Sequence, residues 1–61
     1  MALEGLEQRI VRLDNELLYY LGKEDKNIKD GDFKKAYINY IKASACREER
    51  DYLFKIKMKG L

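Results

Sequence analysis

Residues 3–20 read LEGLEQRIVRLDNELLYY, and in that stretch Leu3, Leu6, Ile10, Leu13, Leu17 and Tyr20 recur at alternating steps of three and four. That spacing lays a narrow apolar stripe along one side of an α-helix, in the form that coiled coils use. Such a stripe is buried only by another helix. The chain is therefore expected to work through helix–helix contact, within one molecule or between molecules.

Outward from the stripe, the next decisive segment is Asp30-Gly31-Asp32. Gly31 is suited to the left-handed conformation that ends a helix. Asp32 is suited to accept backbone N–H groups at the start of the next. The sequence thus predicts a first helix over 3–29, a turn at 30–32 and a second helix over 33–58. Gly22 costs about 1 kcal/mol relative to alanine inside a helix, so a break there is one reading. Continuation is the preferred one, because Tyr20, Leu21, Glu24 and Ile28 keep the period and Asp25 and Lys29 form an i,i+4 pair. Lys55, Lys57 and Lys59 suit the C-terminal end of the second helix. Two such helices joined by a tight turn pack antiparallel. The expected fold is all-α, an antiparallel helical hairpin of two long helices, dimerising into a four-helix bundle.

The second helix carries apolar residues on more than one side. One stripe is Phe33, Ala36, Tyr40 and Ala43, followed by Cys46 or Leu53; another is Tyr37, Ile41, Ala45, Tyr52 and Ile56. The first helix can cover only one of them. The expected core is Leu6, Ile10, Leu13, Leu17, Ala36, Tyr40 and Ala43. The expected contact surface for a partner is Tyr19, Tyr37, Ile41, Ala45, Tyr52 and Ile56.

Composition narrows the function class. The chain has 61 residues, no proline, no histidine and a single cysteine, Cys46. A core of this size rarely supplies more than about 3–5 kcal/mol, and oligomerisation is one way small proteins make up the shortfall. One thiol forms no internal disulfide, and without histidine it makes no zinc site. No metal or cofactor is expected. Catalysis is not expected either: Cys46 has no neighbouring base, with Glu48 and Glu49 close by in sequence, and no pair of carboxylates stands out. A solitary cysteine and no export pattern at the N-terminus fit a reducing, cytoplasmic setting. No apolar run approaches the roughly 20 residues of a membrane-spanning helix, so stable membrane insertion is not expected.

The formal net charge is +2, unevenly divided: residues 1–30 carry five basic and seven acidic side chains, residues 31–61 eight and four. Opposite halves can therefore attract, within the chain or between copies. The basic second half also keeps open an alternative, a small nucleic-acid-associated regulator built on a dimeric hairpin, although Glu48, Glu49 and Asp51 interrupt its basic run.

The pattern Gly31-Asp32-Phe33, Ala36, Tyr40, Lys42-Ala43 resembles the turn and second helix of a tetratricopeptide repeat. It is similar also to the second helix of the microtubule-interacting-and-trafficking (MIT) domain, a three-helix relative that binds helical tails. The resemblance covers about thirteen residues and does not extend to the first helix, where Tyr20, Lys23 and Glu24 stand at the repeat's signature places. It implies a protein-binding role. The favoured reading is a small non-catalytic interaction or oligomerisation module whose partner is a second copy or another helical protein, with the nucleic-acid-associated regulator as the alternative.

Overall fold

A computed structural model describes residues 5–60. Two helices, α1 (Leu6–Lys29, 24 residues) and α2 (Phe33–Gly60, 28 residues), lie against each other as an antiparallel hairpin. The described residues contain no strand.

Each boundary has a local cause. Gly5 is extended (φ −72°, ψ 163°), so α1 starts at Leu6, later than the period alone suggested; Leu3 lies outside the described residues. The side chain of Gln8 reaches back and its Oε1 accepts the Gly5 N–H at 3.2 Å, half of a capping box. Gly22 sits inside an unbroken α1, so the helix continues to Lys29 as preferred. At the turn Gly31 has φ +78°; its N–H donates to Ile28 O (3.0 Å), and the Asp32 N–H donates to Asn27 O (2.8 Å). This pair of bonds is a Schellman motif, which closes α1. Asp32 at once opens α2, because its Oδ1 accepts the Lys35 N–H at 3.2 Å and its carbonyl the Ala36 N–H at 3.0 Å.

The core is a single seam in two pieces. Ile10, Leu13 and Leu53 form one cluster with Leu6 packed against it; Leu17, Ala43 and Cys46 form the other, flanked by Tyr20 and Leu21. Ala36 is buried towards the turn. Between the clusters Arg50 reaches across, its Nη1 donating to Asp14 Oδ1 at 2.6 Å and its Nη2 to Asp51 Oδ1 at 3.4 Å. Near the turn Asn39 donates its amide to Asn27 Oδ1 at 2.7 Å. Two ion pairs join the helices away from the turn: Lys57 on Glu7 at 3.1 Å follows the charge division, and Arg9 on Glu49 at 3.0 Å runs against it.

Two expected core positions differ. Leu6 is only partly buried, at the mouth of the seam. Tyr40 is 51 % exposed and outside the core. The row of α2 that faces α1 is Ala36, Asn39, Ala43, Cys46, Arg50, Leu53 and Lys57, and Tyr40 sits a hundred degrees round from Asn39. Selecting by apolarity picks the tyrosine. The structure instead turns the asparagine inward, half-buried, where its amide donates to Asn27.

Candidate interaction surface

With α1 on one side of α2, every other side of α2 is open, and its apolar residues there fall into two groups. Ile38, Ile41, Ala45, Tyr52 and Ile56 run along the back of the helix, all exposed. Phe33 (68 % exposed), Tyr40 and Phe54 lie on one flank of the seam, and Tyr37 and Met58 lie one step further out. The rings of Tyr37 and Tyr40 stack, with centroids 6.5 Å apart and an interplanar angle of 26°.

The expected contact surface is thereby divided. Ile41, Ala45, Tyr52 and Ile56 do share the back of α2, and Tyr37 stands at its corner with the aromatic flank. Tyr19 belongs elsewhere. It lies on α1, edge-on to Tyr20 (5.4 Å, 74°), with the Lys23 ammonium 5.5 Å from its ring centre; Lys42 sits 5.7 Å from the Tyr20 ring. Cation–π contacts of this sort dress the tyrosines in charge rather than leaving an apolar face.

The two flanks of the seam differ in kind. On one side stand Arg9, Glu16 and Lys23 of α1 beside Lys35, Lys42 and Glu49 of α2, spaced seven residues apart in each helix. The contacts that cross between the helices there are polar: Arg9 with Glu49, the Cys46 thiol on Glu16 Oε2 at 3.7 Å, and Lys42 over Tyr20. The opposite side carries Leu21 and Ile28 of α1 beside Phe33 and Tyr40 of α2 near the turn, and Phe54 with the Glu7–Lys57 pair at the far end, again at multiples of seven along each helix. Val11 and Leu18, both more than half exposed, extend it along α1. Its middle is polar, where Asp14, Arg50 and Asp51 meet and Arg47 interrupts the aromatic column. Sequence reading missed this flank, because Arg47 breaks the sevenfold recurrence of Phe33, Tyr40 and Phe54 and the rest of it belongs to α1.

Burial pushes the Cys46 thiol above its ordinary value of 9.0, and the neighbouring Glu16 carboxylate adds to the shift, so the thiol stays protonated at neutral pH. The hydrogen bond to Asp14 raises Arg50 and keeps it charged. Among the described residues no group of three or more histidine, cysteine, aspartate or glutamate side chains could hold a metal ion, and no helix is long and apolar enough to cross a membrane. An open hollow on the outer side of α1, lined by Glu7, Gln8, Val11, Arg12 and Asn15, has no wall from α2. No family model, curated protein or solved structure matches the chain.

Proposed function

We propose that this chain is a non-catalytic helical interaction module, a preformed hairpin that completes its core against further helices, its own or those of another helical protein. The observation that carries this reading is the exposure of large apolar side chains along nearly the whole of α2, from Phe33 to Met58. Scattered surface apolar residues need no explanation, but contiguous rows of them mark contact sites. The likeness of the Gly31 turn and of Ala36 and Ala43 to a tetratricopeptide or MIT hairpin points the same way, as does the small size of the core. A solitary buried cysteine supports placing the module in a reducing, cytoplasmic setting.

The test is molar mass by light scattering over a dilution series, with circular dichroism and binding of the apolar dye ANS measured on the same samples. The expected result is a species heavier than the 7.3 kDa of one chain, with helix content falling on dilution, or else a helical monomer that binds the dye. A helical monomer that binds no dye at any concentration overturns the reading.

A further inference from the structure

Resting on that reading, we infer that the occupant of the aromatic flank is a second copy of this chain, two hairpins stacked side to side into a four-helix bundle with the charged flanks outward. A two-stranded coiled coil needs apolar residues only along the facing seam, with charges on both flanks. A helix of a larger bundle has a wider apolar stripe, reaching one flank as well. Both helices here follow the second pattern, and on the same side. In α1 the seam residues Leu13 and Leu17 are joined by Leu21 and Ile28; in α2 Ala43 and Leu53 are joined by Phe33, Tyr40 and Phe54. On the other side the same helices carry Arg9, Glu16, Lys23, Lys35, Lys42 and Glu49. One flank of the hairpin is therefore charged along both helices, while the other exposes aromatic and aliphatic side chains on either side of the Asp14–Arg50 pair, with Glu7 and Lys57 paired at its far end.

Charge and area choose the occupant. The polar band across the middle of the aromatic flank holds Asp14 and Asp51 beside Arg47 and Arg50, two of each sign. A second copy related by a two-fold axis sets that band against itself, acids facing bases, with apolar ends meeting apolar ends; this self-complementarity is what an isologous interface requires. A partner of single-signed charge gains nothing from it. The hairpin measures 45 × 26 × 12 Å, so its broad sides are ample for the roughly 800 Å² per partner of a specific pair. The back of α2, one helix wide with Glu48 between Ala45 and Tyr52, offers less.

The experiment compares two double variants with the parent chain by light scattering and circular dichroism. Phe33→Lys with Tyr40→Lys lies on the aromatic flank, and Ile41→Lys with Tyr52→Lys on the back of α2; all four side chains are exposed in the hairpin. The expected result is a parent of twice 7.3 kDa, a dimer retained by the second variant and lost by the first. An independent measurement avoids dependence on folding of the variants. A spin label on Ser44→Cys in a Cys46→Ala background, mixed with isotope-labelled unmodified chain, should broaden the resonances of Tyr40 and Asp51 more than those of Ile41 and Tyr52. Dimerisation lost through the Ile41/Tyr52 pair, or broadening centred there, overturns the choice of flank. A dye-binding monomer at every concentration overturns the second copy as occupant while leaving the interaction module standing.

Discussion

At the residue scale the chemistry is set by what is buried. The Cys46 thiol is held protonated by burial and by Glu16, so alkylation by iodoacetamide at neutral pH should be far slower in the folded chain than in urea. Its raised value also fixes a sign. The stabilisation linked to the protonated thiol is fully present below its unfolded value near 9 and is lost as pH rises through the higher folded one. Alkaline loss of stability should therefore be smaller in Cys46→Ala than in the parent, measured by urea denaturation at pH 8 and pH 10. Leu13, 4 % exposed, anchors one apolar cluster. Leu13→Ala should cost about 2–5 kcal/mol, most of what so small a core provides, and Leu13→Asp should abolish the fold; a cooperative, unshifted thermal melt of the aspartate variant would remove Leu13 from the core. The Arg50–Asp14 pair behaves asymmetrically. Asp14→Ala strands a guanidinium whose side chain is only 23 % exposed, and whose Nε already lacks an acceptor among the described residues. It should cost about 1–3 kcal/mol. Arg50→Leu leaves a half-exposed carboxylate and joins the two apolar clusters, so it should be neutral or stabilising. Equal losses in the two variants would contradict this account.

At the element scale the helices are continuous where their side chains gain from it, and glycine marks the exceptions. Gly22 lies on the outer side of α1, with nothing within 4 Å of an added Cβ. Gly22→Ala should raise stability by about 1 kcal/mol, visible as an upward shift in the thermal midpoint. Gly31 also has open space around it, but its φ of +78° is what the turn uses, and Gly31→Ala should lower stability by roughly 1–2 kcal/mol. Two substitutions of the same kind thus have opposite signs, for backbone reasons alone. These boundaries were legible in the sequence, because Asp30-Gly31-Asp32 carries both the stop and the start in three residues. The seam of α1 was legible too, since its buried positions are its leucines and isoleucine. The seam of α2 was less so. Asn39, Arg50 and Lys57 occupy facing positions there, held by Asn27, Asp14 and Glu7, and a partner on the other helix, 12 to 50 residues away, leaves no mark on local apolarity.

At the scale of the whole molecule, the ion pairs and the exposed apolar surface answer differently to salt. The pairs Arg9–Glu49 and Lys57–Glu7 are exposed, and each contributes no more than about 1 kcal/mol. Raising sodium chloride from low to molar levels should therefore change the thermal midpoint only modestly, and association through an apolar flank should persist. Nucleic-acid binding would instead weaken steeply over that range. The aromatic flank itself was not legible from a search for stripes, because Arg47 breaks its column and half of its residues belong to the other helix. Only the register between helices places Leu21 and Ile28 beside Tyr40 and Phe33. That register has a kinetic side. Facing residues are 12 apart in sequence at Asn27–Asn39, 36 at Asp14–Arg50 and 40 at Arg9–Glu49. The entropy of closing a loop grows with its length, so the hairpin zips from the Gly31 turn outward. The first cross-helix pair to form is an amide pair that tolerates little slippage. The two asparagines thus align the helices across the shortest of these loops, while the apolar cluster at the far end closes across the longest.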